Sequence, residues 1–533
     1  MVKIRTRVHD KFSLEFKIWY EKNLNYTGNG LSGDKLKPEQ FRQECWIFVP
    51  ASLDVNALTY SREQFYSDIT SYYRTITPVY NLRQMVGEGA INELSFCGDG
   101  SWMQADDLHK NEELKIDPST RTPLGFLTNA VLNVVEFPTN ANIAEYEYQI
   151  KMFCAIFKSA CRERYNIFKG SENCETGTEG ILNFRREVFA VLWGYGRLRK
   201  LLTDRVDDKL YDYYTFGEEF IINLAQMYVH KINGLVAGEM GDVEIFIKRL
   251  VSDLGKYKKE RGYSVLEEGN DKHNANLLYR WSVLKKYVES DLFLSVDKRK
   301  SGVIAEQVYY SIAAGLSMIF ATTVAFAFQQ KYGNFTMPLF VALVVSYMLK
   351  DRIKELIRSA FASNRKLKYF DNKTILKVKD TVIGRSREGF DFLPQSKVPQ
   401  HIMDIRSRSV IVDVENRINQ ESILFYRNLI ELDSRSLEST SEYEIEGINK
   451  ILLFNFSSFI KKMDNPQVIY PYVNQLQNGD DKQPFDQIEI NTISVSKIYY
   501  INFIFQFTCN GEVSYHRYRV MMNRDGILEL EQL

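Results

Sequence analysis

Gly28, Gly30 and Gly33 stand in the spacing G-x-G-x-x-G, with which a loop can cradle a diphosphate. That chemistry needs a strand before the loop and a helix opening within it, so that free N–H groups meet the phosphate oxygens. A strand-like stretch precedes the glycines, but Asp34-Lys35-Leu36-Lys37-Pro38 and a second strand-like stretch follow. The three glycines are therefore candidate cofactor-binding positions whose competing reading is a hairpin loop. A second group of side chains able to do chemistry begins at Cys97-Gly98-Asp99-Gly100-Ser101-Trp102. With Asp106, Asp107 and His109 behind it, this stretch puts three carboxylates and an imidazole on glycine-bearing chain. Asp99, Asp106, Asp107 and His109 are the candidate catalytic residues, as acid, base or cation ligands, although they follow no established ligand spacing; the competing reading is a solvated loop.

Other chemistries are excluded by pattern. The remaining histidines, His9, His230, His273, His401 and His516, are dispersed, no H-x-x-x-H occurs, and the six cysteines contain no C-x-x-C. No P-loop, G-x-S-x-G or H-E-x-x-H is present, so the sequence leads us to expect neither metal nor cofactor. Scattered free cysteines fit a reducing compartment. Cys154 and Cys161, seven residues apart on one helical face, are separated by about 10.5 Å of rise, too far for a disulfide, and read as core.

The chain that must position these loops has 533 residues, 45% of them hydrophobic, with 68 basic and 68 acidic side chains. That balance gives no general attraction to nucleic acid, and the hydrophobic content excludes disorder. No signal-peptide pattern opens the chain. Tyr309–Phe328 runs 20 residues without a charge, about 30 Å as a helix and so enough to cross a hydrocarbon core. Phe335–Leu349 is shorter and extensible through Tyr332 and a snorkelling Lys350. Together they predict a two-helix transmembrane hairpin with Tyr309, Tyr310, Tyr332 and Tyr347 near its ends. The alternative is a buried hairpin of a soluble domain. Lys298, Arg299 and Lys300 before the hairpin, and Lys350, Arg352, Lys354 and Arg358 after it, outnumber Lys331 between the helices, which predicts that both long flanks are cytoplasmic. Ala313, Ser317, Ala321 and Ala325 recur every four residues, as do Ala342 and Ser346, a pattern that lets helices approach closely within the hairpin or between copies.

Elsewhere Lys11–Glu21 alternates as a strand, Gln43–Val49 reads as another, and Ser61-Arg62-Glu63-Gln64 is a capping box opening a helix with Phe65, Ile69, Tyr72 and Tyr73 on one stripe. Helical spacing starts near Asn142 and recurs over 179–203, 209–232, 242–258 and 273–290. After Leu349 a stalk helix carries Ile353, Leu356, Ile357, Ala360 and Phe361 beneath the basic face, which points either to its own domain or to anionic lipid. From Asn372 onward β-branched and aromatic runs dominate, including Ser409–Val414 and Gln487–Val495, with one helix expected around Ile448–Met463.

The fold class expected is an α+β multidomain integral membrane protein. Its parts are an α+β domain over 1–125, a helical region over 126–300, the hairpin and stalk over 301–364, and a β-rich cytosolic domain over 365–533. Near the end, Asn510-Gly511 favours a type I′ turn that pairs Cys509 with Glu512, Phe507 with Ser514, Phe505 with His516, Phe503 with Tyr518, Ile501 with Val520 and Tyr499 with Met522. That face should be buried, with Arg517 and Arg519 opposite, solvated or paired with carboxylates. Asp525-Gly526 should return a third strand.

The functional expectation is a membrane-anchored, cytosol-facing interaction or sensing protein. Its partners would be the bilayer, anionic lipid through Lys350, Arg352, Lys354 and Arg358, a protein, and other copies of itself, but not nucleic acid. Two further readings stay open. One is a membrane-tethered enzyme using the N-terminal loops, and the other an oligomerising membrane effector.

Overall fold

The computed structural model describes residues 2–22, 38–87, 121–170, 178–236, 241–301, 303–333, 336–365, 370–406, 421–473 and 490–533. The chain forms two compact units: Met1–Arg74, Leu294–Glu442 and Gly447–Leu533 make the first, and Thr75–Phe293 with Tyr443–Glu446 the second.

In chain order, the first unit begins with β1 (Val2–Asp10), β2 (Ser13–Glu21), β3 (Glu39–Val49), α1 (Arg62–Asp68) and β4 (Ile69–Thr75). The second unit contributes α2 (Leu82–Val86), α3 (Pro123–Glu136), α4 (Asn140–Gly170), α5 (Thr178–Leu202), α6 (Asp208–Val236), α7 (Gly241–Glu260) and α8 (Asp271–Glu289). The first unit resumes with β5 (Ser295–Lys300), α9 (Val303–Tyr332), α10 (Met337–Arg365), β6 (Asn372–Val378), β7 (Thr381–Leu393) and α11 (Gln400–Arg406). It ends with β8 (Ser422–Leu432), α12 (Ser434–Glu438), β9 (Gly447–Asn455), α13 (Ser457–Ile460), β10 (Gln467–Val473), β11 (Ile490–Ser496), β12 (Tyr499–Cys509), β13 (Glu512–Asn523) and β14 (Gly526–Gln532).

In the first unit an eight-stranded sheet in the order β14-β13-β12-β3-β8-β7-β6-β5 faces a four-stranded sheet in the order β1-β2-β9-β4. β2 shows why these sequences pair: Leu14, Phe16, Ile18 and Tyr20 alternate inward and are fully buried. Phe16 meets Phe503 and Phe505 of the other sheet at ring distances of 5.2 and 4.9 Å, and Phe65 stacks on Phe390 at 3.8 Å. Phe12, expected on the same face as Leu14, lies in the turn before β2 and is exposed. β3 pairs antiparallel with both β8 and β12, so strands from 1–125 and from 365–533 share one sheet.

The terminal meander has the expected register, from Cys509 opposite Glu512 to Tyr499 opposite Met522. Asn510 and Gly511 have φ of 49° and 89°, as a type I′ turn requires, and β14 returns alongside β13. Phe503, Phe505 and Phe507 are buried. The opposite face is less open than expected, because α11 packs a small core of Trp46, Phe48, Ile402, Phe425 and Ile504 onto it. Arg517 there donates to the Ile405 carbonyl at 2.9 Å, and Arg519 pairs with Glu531.

Two expected helices are corrected. Ser61 caps α1 by accepting from the Gln64 N–H, but the helix ends at Asp68 and Ile69–Thr75 is strand β4. A cap secures one turn, whereas β-branched Ile69 and Thr70 with Tyr72 and Tyr73 favour the extended chain that the sheet offers. The stretch expected as a helix at Ile448–Met463 is strand β9 followed by the single turn α13. Ile448, Lys450, Leu452 and Phe454 alternate inward and are all buried. A lysine in an inward position conceals that period.

The second unit is a helical bundle. α5–α8 match the sequence reading to within a few residues, α4 starts where it predicts but runs on past Cys161 to Gly170, and Cys154 and Cys161 are buried in the core. α3, capped by Thr122 with Pro123 at its first position, adds a helix to those that the periodicity predicts.

Candidate functional site

Gly28, Gly30 and Gly33, and Asp99, Asp106, Asp107 and His109, lie outside the described residues, as does Ser409–Val414. Among the described residues no group of three His, Cys, Asp or Glu side chains is placed to hold a metal ion. His401 packs edge-on to Tyr515, and His516 lies half-buried near Phe507, where burial holds its pKa below the ordinary value.

A described surface with a chemical character of its own is the helix pair α9–α10, which leaves the sheet between β5 and β6. Within α9, Gln307–Tyr332 is long and apolar enough to cross a membrane, and only 11% of its most apolar window is buried. It is the one such helix among the described residues; α10 turns charged at Lys350. The two helices run antiparallel in contact. Ala313, Ser317, Ala342 and Ser346 are buried between them, so the small-residue stripes serve packing within the pair. Outward, Ile319, Phe326, Phe340, Val344 and Met348 are exposed, a surface that water penalises at about 25 cal/mol per Å².

Two contacts fix the register: Ser346 Oγ donates to the Ala321 carbonyl at 3.3 Å, and the Arg358 guanidinium lies 4.7 Å from the Tyr310 ring. Lys350 is then level with Met318, and α10's charged turn, Lys350, Asp351, Arg352, Lys354 and Glu355, lies beside the first half of α9's apolar run. If all of Tyr309–Phe328 sat in hydrocarbon, Lys350 would be drawn about 13 Å inward and Glu355 about 6 Å. Each such charge costs about 2.5–3.5 kcal/mol near the bilayer centre, whereas withdrawing Ile312 or Leu316 forgoes only about 0.3–0.6 kcal/mol each. The charges therefore decide the depth that any membrane contact can have.

Comparison with known protein families, curated proteins and solved structures gives no match.

The base of the pair is clamped by Asp371. The Ser301 N–H donates to the Asp371 carbonyl at 2.7 Å, joining the chain entering α9 to the chain leaving α10. The Asp371 carboxylate accepts from Arg62 Nη1 at 2.6 Å, from the Tyr66 hydroxyl at 2.9 Å and from the Phe390 N–H at 2.9 Å. Arg62 also reaches Asp391 at 2.8 Å. Beside this lies a buried charged centre. Lys450 donates to Glu388 Oε1 at 3.1 Å and to the Tyr426 hydroxyl at 2.7 Å, and Tyr426 donates to Glu388 at 2.8 Å. Lys298 of β5 approaches the other carboxylate oxygen at 3.6 Å. Burial alone would raise the Glu388 pKa, but Lys450, Lys298 and the Tyr426 hydrogen bond hold it down to about 2. For Lys450 burial wins over Glu388, and its pKa is lowered. With Glu388 and Lys450 almost wholly buried, the centre's geometry suits holding β7, β8, β9 and β5 together rather than meeting a substrate.

Sequence reasoning missed both features. The one signal is Lys450 inside the apolar run Ile448–Phe454; Glu388 and Asp371 sit among ordinary charged neighbours.

Proposed function

We propose that this chain is a membrane-anchored protein, held in the bilayer through α9 and α10 as two transmembrane helices, with both termini in the cytosol. Its cytosolic units then serve interaction or sensing. The observation that carries the reading is the exposed apolar surface of α9, almost unburied over its most apolar window, which would be an aggregation liability in water. The clamp at Asp371 and the β5–β6 pairing support it, since they tie both ends of the helix pair to a folded sheet that could bear an anchor's load. Lys350, Arg352, Lys354 and Arg358 follow the apolar part of α10 and suit the anionic headgroups of a cytosolic leaflet.

The test is flotation. Full-length protein freed of detergent in the presence of phosphatidylcholine–phosphatidylserine vesicles should rise with them through a density gradient and resist extraction by alkaline carbonate. A monodisperse protein that stays at the bottom overturns the anchor. In sealed, right-side-out cell vesicles, labelling of either terminus by an impermeant reagent overturns the cytosolic orientation.

A further inference from the structure

We infer that α9–α10 is built for a thin bilayer with an anionic face, a reading that rests on the membrane anchor proposed above. The register of the pair carries it. α10 is free of charge only over Met337–Leu349, thirteen residues or about 20 Å of helix. Level with that segment, α9 runs from Ile319 to a polar end at Gln329, Gln330 and Lys331. The uncharged length that both helices share is thus about 10 Å less than an ordinary hydrocarbon core of about 30 Å, although α9 alone would fill one.

Both ends of this short belt are polar. At the base, Lys350, Arg352, Lys354 and Arg358 outnumber Asp351 and Glu355, and Lys350 lies 3.9 Å from the Tyr347 ring, cation and aromatic together as at a membrane interface. At the tip, Lys331 lies 5.4 Å from the Tyr332 ring. A polar tip that stopped among acyl chains would leave Gln329, Gln330 and Lys331 without water, so the pair crosses and the bilayer thins to fit. The first half of α9 stays in the basal headgroup layer, where Ile312 and Leu316 are half-exposed beside the α10 cations. The net positive base favours an anionic leaflet there.

The experiment uses full-length protein carrying Lys331→Cys, inserted into preformed vesicles loaded with an impermeant maleimide. One set is made from dimyristoleoyl and one from dieicosenoyl phosphatidylcholine, each with a minor share of the matching phosphatidylserine. The native cysteines stay outside, so only a tip that crosses is labelled. The expected result is labelling of the introduced thiol in the thin vesicles, with about five-fold or more protein floating with thin than with thick vesicles. Equal flotation with both thicknesses overturns the fit to a thin bilayer. Flotation without labelling of the tip overturns the crossing and leaves the anchor standing. No flotation with either set overturns the anchor itself.

Discussion

Lys450 of β9 donates to Glu388 of β7 at 3.1 Å, across the two sheets of the first unit, and both side chains are almost wholly buried. The attraction between them matters less than what either would cost alone. Lys450→Met leaves Glu388 buried with Lys298 as its remaining cation and should destabilise the protein by about 3–5 kcal/mol. Adding Glu388→Gln removes the stranded charge and should recover part of that loss. Chemical denaturation of both variants checks this, and a double variant no more stable than the single one would count against the ion pair as the reason.

The same pair sets an acid limit. Glu388 has a folded pKa of about 2, below its unfolded value, so its stabilisation is complete above the usual glutamate range and is lost as pH falls through that range toward 2. The depression corresponds to about 3 kcal/mol. Lys450 acts in the opposite sense: its lowered pKa means that the folded state holds the proton less well than the unfolded chain, and stability gains as pH rises through the lysine range. Denaturation midpoints measured from neutral pH down to pH 2 should fall more steeply for the natural chain than for Glu388→Gln.

The long helices of the second unit were legible because each repeats its apolar residues every three to four positions over many turns, as Tyr146, Ile150, Phe153, Phe157 and Cys161 do along α4. The terminal meander was legible because Asn510-Gly511 specifies both turn and register. The pairing of β3 with β8 was not: periodicity tells which face a strand buries, not which strand lies beside it nearly four hundred residues away. Nor was β9, whose alternation includes Lys450, a residue that an apolar face accepts only because Glu388 waits opposite. The helix pair was read for its apolar length, but the depth limit lies in the register between two helices, which no single stretch encodes. The glycine loop and the Asp99–His109 stretch fall outside the described residues.

Asp371→Asn tests the clamp at the base of the pair. The substitution keeps the size but removes the charge that Arg62 and Tyr66 address. Charge-assisted hydrogen bonds of this kind contribute about 1.5–3 kcal/mol, reduced here because Arg62 is partly exposed. A loss of about 1–2 kcal/mol is expected, with faster proteolysis next to Ser301 and Asp371. Thermal unfolding in detergent and the sites of limited proteolysis are the measurements. An unchanged cleavage pattern would mean that the sheet pairing alone holds the base.

Gly511→Val tests the turn between β12 and β13. A Cβ built at Gly511 meets nothing within 4 Å, so no clash contributes and the cost is torsional, set by a φ of 89° that a β-branched residue resists. A destabilisation of about 1–3 kcal/mol is expected, whereas Gly511→Asn, which tolerates the left-handed region, should lose less. Equal melting temperatures for the two variants would contradict the turn.

The register of α9 against α10 decides how much of the pair can enter a bilayer, and it is open to a direct chemical test. Ser346 is buried against α9, with its hydroxyl 3.3 Å from the Ala321 carbonyl, whereas Phe326 is 71% exposed and points away from the contact. Cysteines replacing Ala321 and Ser346 together should close to an intramolecular disulfide under mild oxidant, because the Ser346 side chain already reaches the Ala321 backbone and a disulfide needs such close positions. The pair Phe326→Cys with Ser346→Cys should not close. Mass spectrometry of proteolysed, oxidised protein reads both outcomes. Closure of the second pair in place of the first would slide the charged turn of α10 along α9, and the limit on the shared apolar length would move with it.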